Sequence, residues 1–243
     1  MRYRTLGDSD LRVSEICLGT WTTFGESVAD DVAGTLVETA FDVGINFFDT
    51  SDNYGVPAGR AEEALGRALV RRPRDSYIVA TKVGGELPNG DRGLARERIL
   101  ARIDGSLARL QLDYVDLYQC HRYDDDVPLE ETLGALTEVV EAGKARFIGV
   151  SNWQGDQIRR AVQLARKHGF AKIVSSQPQY SLLRRDLEQD VIPASRENGI
   201  SQIPWSPLAQ GVLTGKYRPG ESFADETRAA ARNCNSRRSA RRR

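Results

Sequence analysis

Seven short apolar runs recur along this chain at a nearly constant interval. Candidate strands begin near Ile16, Ile45, Tyr77, Tyr114, Ala145, Lys172 and Ser201, spaced 29, 32, 37, 31, 27 and 29 residues apart. One strand, one helix and their connections need about 30 residues. Between the runs lie amphipathic segments. Val32, Leu36, Val37, Ala40 and Phe41 share one predicted helical face, as do Leu129, Leu133, Leu136 and Val140. Gly44, Gly143, Gly169 and Gly199 stand one to three residues before the next run, where a left-handed helix cap is expected. Pro128 suits a helix start.

Apolar strands alternating with helices indicate a parallel sheet covered on both faces. Seven uninterrupted units favour a (β/α)8 TIM-type barrel over a doubly wound sheet, and the first strand lacks the GxGxxG turn of a dinucleotide-binding Rossmann unit. Residues 2 to 13 read as a β-hairpin, with Gly7 to Asp10 in its turn, that closes one end of the barrel. The interval calls for an eighth strand near residue 230, but ETRAAARNCNSRRSARRR contains no apolar run to supply it. The expectation is an incomplete barrel over residues 1–217, followed by an arginine-rich, disordered segment over 218–243.

Charge separates the same two parts. Residues 228 to 243 hold seven of the 34 basic side chains and no acid, which leaves the remainder with 27 basic against 34 acidic groups. An acidic body argues against a nucleic-acid surface. The longest apolar run falls well short of the roughly 18 residues of a membrane span, and the amino terminus has no signal-peptide core. A cytoplasmic protein with no membrane partner is therefore expected. Cys17, Cys120 and Cys234 have neither CxxC spacing nor an even count, so neither a disulfide framework nor a metal site is expected. The acidic run at 124 to 126 reads as a solvated loop, because consecutive side chains diverge. His168, in the last turn of a predicted helix, suits the helix dipole.

The candidate chemistry sits where strands end. Asp49 follows INFF, Lys82 follows IVAT, His121 follows YVDLYQC, and Tyr54 lies one loop beyond Asp49. Buried charges of opposite sign are rare unless paired, and the carboxyl ends of parallel strands all open on one face. One shared site is the economical reading. A cation beside Tyr54 would lower a phenol pKa that starts near about 10 and make it a proton donor.

Five segments in order, GINFFDTSDNYG, ATKVG, SLARLQLDYVDLYQCH, GKARFIGVSNW and PWSPLAQGVLTGKY, resemble the aldo-keto reductase family. The resemblance covers residues 1 to about 217 and fades beyond Tyr217, where the family's final helices, eighth strand and closing loop find no counterpart. It implies a barrel reductase that carries hydride from NADPH, or alternatively NADH, to an aldehyde or ketone. By that resemblance Tyr54 protonates the forming alkoxide, Lys82 tunes the phenol, Asp49 holds Lys82 and His121 orients the carbonyl. Ser151, Asn152 and Gln177 would meet the nicotinamide carboxamide, Trp205 would stack on its ring, and Ser206, Leu208, Gln210 and Gly211 match the loop beside the pyrophosphate. The family also contains potassium-channel beta subunits, so a cofactor-binding regulatory module is a second expectation. An inactive truncated member is a third.

Overall fold

The computed structural model describes residues 1–217. A two-stranded antiparallel hairpin, β1 (Tyr3–Thr5) and β2 (Arg12–Ser14), precedes seven strands: β3 (Leu18–Gly19), β4 (Phe47–Asp49), β5 (Ile78–Val83), β6 (Val115–Cys120), β7 (Ala145–Ser151), β8 (Ile173–Gln177) and β9 (Ser201–Gln202). All seven pair in parallel and in chain order, so the sheet is a curled, TIM-like half-barrel with one helix after most strands. The helices are α1 (Asp30–Asp42), α2 (Arg60–Leu69), α3 (Arg96–Leu110), α4 (Leu129–Glu141), α5 (Gly155–His168) and α6 (Val191–Glu197). Each strand begins within three residues of the position its apolar run predicts. The predicted eighth strand and the arginine-rich segment lie outside the described residues.

Two apolar layers explain the architecture. The outer one fills the space between sheet and helices, with Phe48, Val79, Tyr118 and Ile148 from the strands meeting Val37, Leu65, Ile103 and Leu133 from the helices. The inner one is smaller. Phe47, Ile78, Ala80, Leu117 and Val174 point inward, and Leu6, Leu11 and Val13 of the hairpin fill the space beneath them. Backbone N–H groups of the hairpin turn tie it to the far strand region, Asp8 to the Gly199 carbonyl at 2.9 Å and Gly7 to Ser201 Oγ at 2.7 Å. The hairpin is therefore the floor of the barrel, as its sequence suggests. The four capping glycines all adopt positive φ, between 67° and 83°.

One helical face differs from the expectation. On α1 the buried residues are Ala33, Val37 and Ala40, with Phe41 partly covered, while Val32 and Leu36 are 47% and 38% exposed. A stripe at 33, 37 and 40 is the one that faces the strands. Val32 and Leu36 sit about 100° round the helix from it and lie on the flank. The α4 face is as expected, with Leu129, Leu133 and Leu136 buried and Val140 packed beside them. Asp124 accepts the backbone N–H of Leu94 at 2.7 Å and of Asp126 at 3.0 Å, so one acid of the 124–126 run ties two loops together. No helix among the described residues is long and apolar enough to cross a membrane.

If the hairpin is a packed floor, truncating it opens a cavity inside the barrel. Leu11 is 2% exposed, so Leu11→Ala should lower unfolding free energy by about 2–5 kcal/mol. Urea denaturation of the full chain measures this, and a loss below about 1 kcal/mol would show that the hairpin only rests on the barrel.

Candidate active site

Above the inner apolar layer the barrel interior turns polar, and the change begins at Asp49. This residue ends β4 and Lys82 lies one place before the end of β5. The parallel register sets Asp49 opposite Ala80 and Lys82 opposite Gln119. Lys82 is wholly buried, yet its Nζ donates to Asp49 Oδ2 at 2.6 Å and to the Thr50 carbonyl at 2.8 Å. The other carboxylate oxygen, Oδ1, accepts from Gln177 Nε2 at 2.8 Å and from Gln119 Nε2 at 3.5 Å. Burial disfavours the ammonium, but Asp49 and the Tyr54 phenol favour it, and the net shift is upward. Lys82 is thus charged at neutral pH.

Tyr54 is placed by its own backbone. Its carbonyl accepts the N–H groups of Gly59 at 3.0 Å and Ala61 at 3.2 Å, which pins the loop to the start of α2. The Lys82 ammonium lies 4.9 Å from the Tyr54 ring centroid. The phenol pKa moves opposite to the expectation. Burial raises it, and this outweighs the charge of Lys82, which lowers it as the sequence suggests. Tyr54 consequently carries its proton at neutral pH.

His121 follows β6 directly and extends its ladder by donating its backbone N–H to the Val83 carbonyl at 2.8 Å. Its ring stands edge-on to Tyr54, centroids 5.7 Å apart. Burial first, then the charges of Lys82, Arg122 and Arg102, depress its pKa to about 3. The imidazole is neutral across the physiological range. The three strand-end residues and Tyr54 therefore meet at one place: Asp49, Tyr54 and His121 line a cavity of about 1190 Å³, with Lys82 behind them.

The remaining predicted residues reach the same cavity. Ser151 Oγ donates to the Gln177 carbonyl at 2.8 Å. Asn152 Nδ2 donates to Ser151 Oγ at 2.9 Å and to the His121 carbonyl at 3.3 Å, while its Oδ1 accepts from Trp205 Nε1 at 3.1 Å. Trp205 stands edge-on to Trp21, centroids 6.1 Å apart, at the cavity wall. Ser206, Leu208, Gln210 and Gly211 follow in a tight loop, with positive φ at Ser206, Ala209, Gln210 and Gly211. The loop closes on itself, with the Ala209 N–H donating to the Ser206 carbonyl at 2.9 Å and the Gly211 N–H to the Leu208 carbonyl at 3.0 Å. Ser151, Asn152, Gln177, Trp205 and this loop thus line one continuous side of the cavity that Asp49, Tyr54 and His121 also line.

Three participants escaped the sequence reading. Gln119 stands two residues before His121 on the inward side of β6, and strand alternation alone would have found it. Trp21 packs 6.4 Å from Tyr54. Ser51 touches His121 from the loop after β4. The loops are braced from outside, where Arg102 of α3 donates to Asp52 at 2.6 Å and to the Gly85 carbonyl at 2.8 Å. Burial lifts the Asp52 carboxyl to about 6 despite that arginine.

The aldo/keto reductase family model matches residues 15–242, farther than the five motifs reach. Among curated relatives, a probable voltage-gated potassium channel subunit beta of Oryza sativa subsp. japonica is 41% identical over 230 residues, covering 93% of this chain and 69% of that protein. An L-glyceraldehyde 3-phosphate reductase of Escherichia coli (strain K12) is 39% identical over 227 residues, covering 90% of this chain and 65% of that protein. A probable voltage-gated potassium channel subunit beta of Arabidopsis thaliana is 38% identical, covering 96% and 71%. The chain thus spans about two thirds of the length of these relatives.

The depressed His121 pKa carries a stability signature. Between about 6.5 and 3 the unfolded chain protonates this imidazole and the folded chain does not, so stability attributable to it is full above 6.5 and lost as pH falls. Asp52 acts oppositely, since its raised pKa removes stability as pH rises from 3.8 to about 6. In His121→Asn the loss of unfolding free energy between pH 7 and pH 4 should therefore shrink relative to the parent, as followed by denaturant titration at both pH values. An equal loss in both proteins would mean the imidazole titrates freely.

Proposed function

The chain belongs to the aldo/keto reductase family, and on that premise we propose that it reduces aldehydes or ketones to alcohols with a nicotinamide cofactor, using Tyr54 as the general acid. The observation that carries this reading is the junction of Tyr54 with the buried Lys82–Asp49 pair, 2.6 Å between Nζ and Oδ2. A bound reduced nicotinamide supplies the hydride. The resemblance favours NADPH, with NADH as the alternative. Ser151, Asn152 and Gln177 would hold the carboxamide end and Trp205 the ring, while the loop of Ser206, Leu208, Gln210 and Gly211 would take the pyrophosphate.

In this reading the Tyr54 hydroxyl donates its proton to the carbonyl oxygen as the carbon accepts hydride. The resulting phenolate faces the Lys82 ammonium, whose charge offsets the cost of leaving an anion in a buried place. Asp49 keeps Lys82 charged and turned toward the phenol. His121, being neutral, can donate one hydrogen bond to the carbonyl oxygen and orient it without adding a charge. Trp21 and Trp205 limit water at the reacting face. The same reading sets the chain in the cytoplasm, acting on a small carbonyl compound without nucleic acid or membrane.

The names of two relatives, both probable potassium channel beta subunits, favour a second reading, in which the cofactor-bound barrel reports to a protein partner. Turnover separates the two. With 4-nitrobenzaldehyde and NADPH, the first reading requires steady oxidation of cofactor. Tyr54→Phe should then lower kcat by about 10²–10⁴, the usual contribution of general acid catalysis, with KM little changed. Equal kcat in the variant would remove Tyr54 from the proposed role. Cofactor binding without turnover in the parent would favour the second reading.

A further inference from the structure

A neutral histidine has a single ring proton, and which nitrogen holds it decides what the other can do. We infer that Ser51 is a positioning residue that fixes this choice: its hydroxyl donates to His121 Nδ1 and so keeps the proton on Nε2, where it can point at a substrate carbonyl. The inference rests on the carbonyl-reduction reading for its catalytic meaning, though the hydrogen bond can be tested without it.

The placement is specific. Ser51 is fully buried, and its Oγ lies 3.2 Å from His121 Nδ1 and 2.8 Å from Asn53 Oδ1. Asp52 Oδ1 is farther, at 3.4 Å. A hydroxyl has one proton, so His121 and Asn53 compete for it. Two relays satisfy the heavy atoms. In one, Nδ1–H donates to Ser51 and Ser51 donates to Asn53, which leaves Nε2 an acceptor that would repel a carbonyl oxygen. In the other, the Asn53 carboxamide is turned end for end, its N–H₂ donates to Ser51, and Ser51 donates to Nδ1.

As placed, Ser51 donates to Asn53 Oδ1, and turning the carboxamide for the second relay gives up one long contact. Asn53 Nδ2 otherwise reaches only the Glu86 carbonyl, at 3.5 Å, well beyond the usual N–H···O length. Glycine at position 85 keeps the three groups together. A Cβ there would stand 2.5 Å from Asn53 Nδ2 and 2.9 Å from His121 Nδ1, so a larger residue would wedge into the relay. Burial and the charge of Lys82 hold the ring neutral, and a doubly protonated imidazole, for which Ser51 would be irrelevant, is thereby excluded at neutral pH.

The chain has two histidines, His121 and His168, which makes the tautomer directly readable. The full chain labelled with ¹⁵N-histidine should show, at neutral pH, a His121 Nδ1 without a proton and an Nε2 with one, the His168 signals being removed by His168→Gln. In Ser51→Ala the two tautomers should mix, and kcat/KM for 4-nitrobenzaldehyde should fall about tenfold, the rate equivalent of one hydrogen bond. Ser51→Thr should restore both readouts. A proton on Nδ1 in the parent would overturn the inference even if no variant folds, and so would an unchanged tautomer in folded Ser51→Ala. If the tautomer responds as expected while the parent reduces no aldehyde, Ser51 keeps its role and the carbonyl-reduction reading is the one that fails.

Discussion

A lysine with no exposed surface organises the upper half of this barrel. An ammonium withdrawn from water costs several kcal/mol unless charge and hydrogen bonds replace its hydration, and Lys82 has both, from Asp49 and from the Thr50 carbonyl. The arrangement propagates outward. Asp49 uses its second oxygen to take Gln177 of β8 and Gln119 of β6, so four strands converge on one carboxylate. Well-packed apolar residues in place of both Lys82 and Asp49 would serve stability as well or better, whereas loss of one partner would strand the charge of the other. The pair therefore makes physical sense as the foundation of a site, with the hairpin floor and the inner apolar layer supplying the stability beneath it.

Much of this was legible in sequence because it is written in spacing. The interval between apolar runs places seven strands within three residues, and parallel strands must open their carboxyl ends on one face, which brings Asp49, Lys82 and His121 to the same end of the sheet. What spacing does not contain is angle and depth. The apolar residues of α1 span more of the helix than the sheet can cover, so Val32 and Leu36 fall outside the buried stripe. The Tyr54 pKa turned on depth in the same way. Its charged neighbour is visible in the motif, but the burial that outweighs that neighbour is a property of the closed loop after β4.

The polar residues that sequence reasoning passed over share a cause. Gln119 and Ser51 are uncharged, lie within runs dominated by stronger signals, and act through geometry alone. Gln119 follows from the period of β6, because the residue two before His121 must point the same way along the strand. Ser51 follows from no period. It lies in a turn whose path is set by Tyr54, whose carbonyl grips the start of α2, and by Asp52, which is held by Arg102 of α3. Only the folded loop brings its hydroxyl to His121.

The raised pKa of Tyr54 changes where Lys82 would act in the proposed reaction. A phenol already ionised at rest would have no proton to give, so burial, by keeping the proton on, maintains the competent form. The ammonium then matters most when the proton has moved and the phenolate has formed, since a charge–charge attraction is stronger than that between a charge and a neutral hydroxyl. An interaction that grows along the reaction path lowers the barrier, whereas one equally strong at the start would not. The same logic governs His121 in the proposed reaction: kept neutral, it would lend the carbonyl a hydrogen bond that strengthens as oxygen gains charge, without competing with Tyr54 as the proton source. Desolvation is thus the common agent, setting the resting protonation of both residues and leaving Lys82 as the charge available when negative charge develops.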